Sequence, residues 1–402
     1  MKQYRGMFKM YFDIKGGLTA AAQKAEELRN SHSSINLDIH IHDSAAFIVY
    51  CDEMLAQLYS IRRMSQKIDT LSTLLPKAAM AQFIRQALIE EIHQTNEIEN
   101  VQSTRKEISD EIRVIENGRK GKRFDGMIRK YKLLIENDCI PLVDCRDIRE
   151  LYDNFVLDEV VKEDPNDAPD GMYFRTKPVS VVKSSKEIHE GVYPETALNR
   201  TMELALAFLN DEDYDPLIRA AAFHYLFGYM HPFYNGNGRM TRFISSYILA
   251  KNGVPSLAAL RLSYVIKSNR SAYYALFKDT NDKRNFGDLT CFVVRFLSFV
   301  SDACKQVLDF LTEKKQILDH YLGLVDRLDM EKNAKKLLYI LVQATVCEWT
   351  GLSIQEMSNT MGCTTHMIRK YLGGISEYCT FSKIGTAKCY TADLEKIEQS
   401  FE

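Results

Sequence analysis

The 402-residue sequence has little that would point to a membrane protein or a secreted one. No apolar run approaches the roughly 18–20 residues that a membrane-spanning helix needs. The N-terminal stretch MKQYRGMFKMYF mixes charged and aromatic residues and has no continuous apolar core, so it does not resemble a signal peptide. The nine cysteines are scattered without a C-x-x-C pair, which favours reduced thiols. We therefore expect a cytoplasmic protein with no membrane partner.

An excess of charge of one sign is also lacking. The chain has 52 basic and 54 acidic residues, and its formal net charge is −2. A nearly neutral chain has no general attraction to nucleic acid or to an anionic membrane, so any such contact would need a local basic patch. The composition, 46% apolar and 26% charged, is typical of globular proteins, and the length suggests two or three domains.

The early part of the chain contains one strand pattern and a long helical pattern. NLDIHIHD, residues 36–43, alternates polar and apolar residues, and His40 and His42 would share one face of the strand. No further ligand with zinc-like spacing stands nearby, so we interpret this as a solvated face rather than a metal site. From Ser44 to Arg113 apolar residues recur three and four apart, which predicts helices.

A turn-rich segment precedes a second strand pattern. KEDPNDAPDG, residues 162–171, predicts a loop at the edge of a subdomain. MYFRTKPVSVV, residues 172–182, has the composition of a strand and predicts a short exposed hairpin, which Pro178 would confine to a sheet edge. The free edge of such a hairpin could pair with an extended segment of a partner.

The stretch HPFYNGNGRMTR, residues 231–242, lies between two apolar helical patterns. The first pattern starts at Asp215 and Pro216, a capping residue followed by proline at the first helical position. The second pattern begins inside the stretch, where the helix dipole is positive, yet Arg239 and Arg242 stand there on one face. Two cations at this place need an explanation.

A polyphosphate would explain both arginines. Four backbone N–H groups at the start of the second helix are placed to form an anion-binding nest: those of Gly236, Asn237, Gly238 and Arg239. His231, just before the loop, could deprotonate an incoming hydroxyl. The alternative is a tight turn with solvated arginines and a histidine that ends a helix. His224, on the preceding helix, is interpreted as a hydrogen-bonded core histidine.

The twelve-residue stretch resembles the signature of the Fic family, H-P-F-x-[DE]-G-N-G-R-x-x-R. YFRTKPVSV (173–181) is similar to the flap of that family, and NRSAYYALF (269–277) to its later nucleotide-pocket segment. TNEIEN, residues 95–100, resembles its inhibitory motif [ST]-x-x-x-E-[GN]. The resemblance covers about residues 80–310 and implies a mainly α fold, a Fic (Fido) helical core with a short β-hairpin flap at 172–183.

The family's activity is transfer of AMP from ATP to a hydroxyl side chain of a protein. The resemblance thus implies ATP as substrate, Mg²⁺ or Mn²⁺ as the metal, and a target protein docked on the flap. His231 would be the base for the target hydroxyl, and Phe233 would anchor the loop. Glu99 would pair with Arg242 in the resting state and block productive ATP.

The resemblance also assigns the nucleotide contacts. Phosphate and nucleoside binding would fall to Gly236, Asn237, Gly238, Arg239, Arg242, Asn269 and Tyr273. The first three would hold the α- and β-phosphates, Arg242 would meet the γ-phosphate, and the last two would lie on the adenine side. Asn235 departs from the family pattern, which has an acid there that holds Mg²⁺. An asparagine offers an oxygen without the charge, so we expect weaker metal binding.

The C-terminal part predicts a winged helix-turn-helix domain. LSIQEMSNTMGCTTHMIRKYL, residues 352–372, predicts two short helices around Gly362, with a capping-box pattern at the start of the first. FSKIGTAKCYTA, residues 381–392, could supply a small hairpin. The second helix offers three side chains to DNA: His366, Arg369 and Lys370. Contact with DNA and a packing or dimerisation role both stay open, as does a homodimer.

The sequence thus predicts three parts: an N-terminal helical region at 1–120 with the inhibitory motif, a Fic core at 121–315, and a winged-helix domain at 330–402. The main functional prediction is an autoinhibited protein adenylyltransferase. One alternative is removal of AMP, or another phosphate transfer, because Glu99 could orient a water. Another is a nucleotide-sensing or DNA-binding regulator whose site Asn235 weakens. Whether Glu99 acts within one chain or between two is left open.

Overall fold

The computed structural model describes residues 4–183, 186–347, 351–384 and 387–401. The N-terminal elements are α1 Met7–Tyr11, α2 Gly17–Arg29, β1 Ser34–Ile41, β2 Ser44–Val49, α3 Asp52–Leu74, α4 Lys77–Ile98, α5 Arg105–Glu116, α6 Asp125–Ile135, α7 Cys145–Phe155 and α8 Leu157–Glu163. The central elements are β3 Ser180–Lys183, β4 Lys186–Glu190, α9 Glu195–Asn210, α10 Pro216–Met230, α11 Asn237–Lys251, α12 Ser256–Ala259, α13 Leu262–Ser268, α14 Arg270–Asn281 and α15 Thr290–Arg327. The C-terminal elements are α16 Lys332–Val346, β5 Leu352–Ser353, α17 Ile354–Met361, α18 Thr365–Gly374, β6 Cys379–Ile384, β7 Ala387–Ala392 and α19 Leu394–Gln399.

The predicted mainly α fold is confirmed, and the chain divides into two compact units. One unit contains residues 1–65 and 87–305, and the other contains residues 66–86 and 306–402. This division differs from the three predicted parts, because most of the predicted N-terminal region clusters with the predicted core. Within the described ranges, no helix combines the length and the apolar character needed to cross a membrane.

The prediction of helix from residue 44 onward is wrong for its first part. Residues 44–49 form β2, which pairs antiparallel with β1, and α3 begins only at Asp52. A short apolar run such as AAFIV has no period that separates a buried strand from a helix. His42 has a φ of 53° in the turn between the strands, so it does not share a strand face with His40.

The first unit is built around the pair α10 and α11, which pack against each other. α10 is apolar on all sides and almost every residue in it is buried, as expected for a central helix. Asp215 caps α10 as predicted, because its carboxylate accepts a hydrogen bond from Leu217 N–H at 2.9 Å. The two helices fix the loop of residues 231–236 between them.

The flap forms later in the chain than predicted. β3, Ser180–Lys183, and β4, Lys186–Glu190, pair antiparallel, whereas residues 172–174 form bends. The reason is the carboxylate of Glu195, which accepts hydrogen bonds from the N–H groups of Met172, Tyr173 and Phe174 at 2.9–3.1 Å. These N–H groups cannot join a ladder at the same time. The turn of the flap at residues 184–185 lies outside the described residues.

The second unit contains the predicted C-terminal elements. α17 and α18 flank Gly362, which has a φ of 64°, and Ser353 and Glu356 form the predicted capping box. β6 and β7 form the predicted hairpin, and β5 adds a third strand in the order β5-β7-β6. Residues 348–350 and the hairpin turn at residues 385–386 lie outside the described residues.

Candidate functional site

His231 ends α10 in the left-handed conformation, with a φ of 49°. Its carbonyl is held by Arg175, a fully buried arginine from the base of the flap. The guanidinium of Arg175 donates to four backbone carbonyls, those of His231 at 2.9 Å, Lys177 at 2.7 Å, Val192 at 3.0 Å and Met230 at 3.4 Å. One side chain thus ties the histidine to both ends of the flap, a role that the sequence analysis did not assign.

Two buried side chains brace the loop after His231. Phe233 is fully buried, and its ring stacks on Tyr152 with 3.7 Å between centroids. The Asn237 side chain forms two hydrogen bonds with the Phe233 backbone, accepting from its N–H at 3.0 Å and donating to its carbonyl at 2.7 Å. Phe233 therefore lies where a loop anchor is expected, and the Asn237 amide shapes the loop, so only its backbone N–H faces the nest.

The start of α11 supplies the nest. Gly236 precedes the helix with a φ of 80°, and a Cβ there would lie 3.1 Å from a methyl of Val156. The first intrahelical bond runs from Met240 N–H to the Gly236 carbonyl, so the N–H groups of residues 237–239 have no partner within the helix. The Gly236 N–H donates to the Asn235 side chain at 2.7 Å. The unpaired donors are therefore those of residues 237–239.

Arg239 is the strongest sign of an anionic ligand. Its side chain is fully buried, and its three guanidinium nitrogens find no hydrogen-bond partner among the described residues. A buried charge without a partner is costly, and such groups are normally paired. The guanidinium and the three free N–H groups belong to the same first turn of α11, a donor set that fits the oxygens of a polyphosphate.

Arg242, one turn further along α11, is saturated instead. Its Nη2 lies 2.8 Å from Glu99 Oε1 and donates to the Thr95 carbonyl at 3.0 Å, and its Nε donates to the Thr95 hydroxyl at 2.7 Å. The arginine side chain is 1% exposed and the glutamate side chain 30%. The ion pair that the resemblance implied is therefore present within one chain.

Glu99 also lies close to the start of α11. A Cβ placed on Gly238 would collide with the Glu99 carboxylate and would lie 3.0 Å from Arg242 Nη1. The carboxylate thus lies against the first turn of α11, where the dipole and the free N–H groups favour a negative charge.

Glu99 directly follows α4, and a buried carboxylate holds the C-terminal half of α4 within the first unit. Glu91 accepts hydrogen bonds from Tyr131 OH at 3.1 Å and from Ser263 Oγ and N–H at 2.6 and 3.0 Å. Burial raises the pKa of Glu91 to about 7, although these hydrogen bonds and the charge of Arg242 lower it. At the end of α4, Arg270 donates to the Ile98 carbonyl at 2.8 Å.

Tyr273 lies close to Arg242, and both Asn269 and Tyr273 already have hydrogen-bond partners. The Asn269 amide donates to the Val265 carbonyl at 2.9 Å, and Asn269 precedes α14. The Tyr273 hydroxyl lies 2.7 Å from Nε2 of His224, whose Nδ1 lies 2.8 Å from Ser245 Oγ. Burial, together with Arg242, lowers the pKa of His224 to about 3, so it is a neutral core histidine as interpreted.

Asn235 faces a carboxylate that the sequence analysis did not single out. Its Oδ1 accepts from Gly236 N–H, which fixes the orientation of the amide, and its Nδ2 donates to Asp167 Oδ2 at 3.1 Å. Asp167 ends the short 3-10 helix Pro165–Asp167. Carboxylate and amide oxygens are ligands that Mg²⁺ prefers, so the donor set fits a magnesium ion that also binds substrate phosphates.

The protein is mainly helical, and its central loop joins α10 to a helix whose first turn carries free N–H groups and a buried arginine. Residues 143–249 match the model of the Fic/DOC family. A protein adenylyltransferase Fic of Drosophila ananassae is 30% identical over 110 residues, which are 27% of this chain and 19% of that protein. A protein adenylyltransferase fic-1 of Caenorhabditis briggsae is 34% identical over 118 residues, 29% of this chain and 21% of that protein. The match thus spans about a fifth of the length of these relatives.

A solved structure has the same fold over most of the chain. The crystal structure of a Fic family protein from Desulfovibrio desulfuricans G20 has a TM-score of 0.53 and 19% identity, and the match covers 86% of this chain and 97% of that one. At this identity the likeness concerns the fold alone. The family-model match shows a Fic/DOC domain at residues 143–249 of this chain.

Proposed function

We propose that this chain is a protein adenylyltransferase that Glu99 holds in an inactive state. The observation that carries the proposal is the contrast within one turn of α11. Arg239 is buried without a partner among the described residues, while Arg242 is bound by Glu99 over the same nest. The unpaired Arg239 favours binding of an anionic ligand. The Glu99 carboxylate binds Arg242, where one phosphate group of that ligand would otherwise bind.

The proposed reaction moves AMP from ATP to a protein hydroxyl. The N–H groups of residues 237–239 and the Arg239 guanidinium hold the phosphates and offset the charge that develops on the leaving pyrophosphate. His231 takes the proton as the target hydroxyl oxygen attacks the α-phosphorus. The new P–O bond forms as the bond to pyrophosphate breaks. A divalent cation, held by oxygen ligands at the 235 position, would neutralise charge on the leaving group.

Inhibition follows from the position of the Glu99 carboxylate. A phosphate and a carboxylate cannot share the space above Gly238, and Arg242 cannot bind both with full hydrogen bonds. ATP would then bind in a shifted pose, with the α-phosphate out of line for attack. A misplacement of about 1 Å can cost about 10²-fold in rate. Removing the Glu99 side chain should therefore release the activity.

The target segment is proposed to dock on the flap. In the described residues β3 and β4 pair only with each other, so the sheet has free backbone edges. An extended peptide could add to such an edge through main-chain hydrogen bonds. Arg175 links the base of the flap to the His231 carbonyl, so a peptide registered on the flap would also be placed relative to the histidine.

The experiment is transfer of label from α-labelled ATP in the presence of Mg²⁺, with and without cell lysate, by wild type and by Glu99→Gly. We expect labelled protein to increase by about 10²-fold in the variant. Glu97→Gly is the matched control, because it removes a carboxylate that pairs with Lys267 rather than with Arg242. Its labelling should stay at the wild-type level.

The alternatives give different results in the same assay. Label that reaches protein only from γ-labelled ATP indicates another phosphate transfer. Loss of AMP from a pre-labelled protein in wild type but not in Glu99→Gly indicates removal of AMP, with Glu99 orienting the water. Either result would contradict the adenylyltransferase proposal.

A DNA-binding role is proposed separately for the C-terminal elements, which we take as a winged helix. On α18, Ile368 is buried, whereas three side chains are exposed: His366, Arg369 and Lys370. These three side chains could reach a DNA groove or backbone. A gel-shift assay with the full chain and the triple alanine variant tests this, and equal shifts for both proteins would contradict it.

A further inference from the structure

Asp167 lies at the edge of the proposed anion site. Among the described residues, no lysine, arginine or histidine forms an ion pair with it. Its Oδ2 accepts from the Asn235 amide at 3.1 Å, and the same amide accepts from Gly236 N–H at 2.7 Å. One side chain therefore joins the carboxylate to the residue that precedes α11. Both Asp167 and Asn235 are half-buried, so a ligand at the nest could approach them.

A carboxylate at this place creates an electrostatic conflict. The nest and Arg239 favour an anion with several negative charges. Asp167 would repel that anion, and the repulsion is strong because the effective dielectric constant at a half-buried site is lower than in water. Two arrangements resolve the conflict: the anion stays away, or a cation bridges the carboxylate and the anion. The buried, unpaired Arg239 argues for a bound anion and so for the bridging cation.

Other carboxylates near the loop already have charged, hydroxyl or backbone N–H partners. Glu99 binds Arg242, and Glu159 accepts from Phe124 N–H at 2.7 Å. Asp170 accepts from the Tyr234 hydroxyl at 2.7 Å and from Thr176. Asp167, in contrast, accepts a hydrogen bond from the side-chain amide of Asn235 at 3.1 Å. A metal ion could take the place of this donor.

We infer that Asp167 supplies the carboxylate ligand for a divalent cation that bridges the protein and the phosphates of the nucleotide, in place of the amide at position 235. Among the described residues, no three His, Cys, Asp or Glu side chains are grouped to hold a metal. The cation would therefore bind with the nucleotide, through one carboxylate, phosphate oxygens and water, as Mg²⁺ commonly does. The inference rests on the proposed nucleotide site and names its metal ligand.

The test measures ATP affinity by calorimetry with EDTA and with Mn²⁺, so it needs no turnover. The parent protein is the full chain with Glu99→Gly and His231→Ala, which opens the nest and stops transfer. Asp167→Asn is added to it, and this change keeps an oxygen for the Asn235 amide. Asp158→Asn is the matched control, because it neutralises an exposed carboxylate whose side chain is 71% exposed and lies 3.9 Å from Lys120.

Asp167→Asn should change the two affinities in opposite directions. Without metal, ATP should bind more tightly than to the parent, because the repulsion is gone. The gain in ATP affinity on adding Mn²⁺ should shrink by about tenfold or more. The control should behave like the parent in both conditions.

Two outcomes would overturn the inference, and they can be told apart. Equal gains from Mn²⁺ in the parent and in Asp167→Asn would show that Asp167 does not hold the cation, while the nucleotide site would stand. Failure of the parent to bind ATP in either condition would remove the nucleotide site itself, and with it the proposed function.

Discussion

Arg239 and Arg242 lie on the same helix and are both fully buried, but their surroundings provide different hydrogen-bond partners. Around Arg242 the protein provides every partner, because Thr95 and Glu99 at the end of α4 saturate the guanidinium. Around Arg239 it provides no hydrogen-bond partner among the described residues, and the nearby carboxylate of Glu159, whose pKa burial raises, interacts with it only through its charge. The contrast teaches that residues 95–99 saturate one of the two buried arginines and leave the other without hydrogen bonds. A buried guanidinium without hydrogen bonds is costly, and this cost is the reason for proposing that an anionic ligand binds there.

The largest expected effect comes from a residue that belongs to neither region. His231→Ala, in the Glu99→Gly protein, should lower transfer by about 10²–10⁴-fold, because a general base is removed. ATP affinity should stay nearly unchanged, since the phosphates are held by the arginines and the nest. Label transfer and calorimetry measure the two quantities.

A second variant separates chemistry from backbone strain at this position. His231→Asn tolerates the left-handed φ of 49° better than alanine does. It should lose transfer equally. Transfer at the parental rate in either variant would show that the histidine is not the base.

A pair of matched substitutions tests the contrast between the arginines directly. Arg239→Met should stabilise the ligand-free protein by about 1–3 kcal/mol, because an apolar side chain replaces a buried guanidinium that lacks hydrogen bonds. Arg242→Met should destabilise it, because Thr95 and Glu99 lose their partner. Urea unfolding of the two variants and wild type measures both changes. Equal changes of the same sign would mean that Arg239 has a partner in solution.

The contribution of Glu91 on α4 to the free energy of unfolding should depend on pH. The folded-state pKa of Glu91, about 7, lies above its ordinary value of 4.5, so folding favours the protonated acid. The stability that this preference provides is fully present below the ordinary value and is lost as the pH rises through about 7. The expected slope is at most about 1.4 kcal/mol per pH unit.

Glu91→Gln tests this dependence, because an amide can bind Ser263 and Tyr131 at any pH. Wild type should lose stability between pH 5 and pH 8 relative to the variant, as measured by melting temperatures across that range. Parallel curves for the two proteins would exclude Glu91 as the source. Label transfer by wild type, but not by the variant, could rise over the same pH range in which wild type loses stability. This result would show that the packing of α4 maintains the contact of Glu99 with Arg242.

The sequence was informative where a short motif determines a local geometry. The helix starts at Asp215 and Ser353, the loop at 231–236 and the pairing of Glu99 with Arg242 were all predicted and are present in the structure. The pair of Glu99 and Arg242 joins distant segments and was predicted only through the resemblance; other contacts between distant segments were not predicted. Arg175 lies 56 residues from His231, and nothing in the local pattern shows that four carbonyls will converge on it. The helix predicted from residue 44 was wrong because a short apolar run has no distinctive period.

Asn235 shows the same limit and leads to the smallest expected effect. The residue predicts weak metal binding when it is considered alone, but the fold brings Asp167 to 3.1 Å from its amide. In the Glu99→Gly protein, Asn235→Asp should therefore lower the Mg²⁺ concentration for half-maximal transfer only a few-fold, because one carboxylate is already present. When Asp167 is also changed to Asn, the same Asn235→Asp substitution should restore metal use by about tenfold or more. Metal titrations of label transfer for the four proteins measure both effects. An equally large gain in both backgrounds would show that Asp167 contributes nothing and that position 235 alone controls the metal.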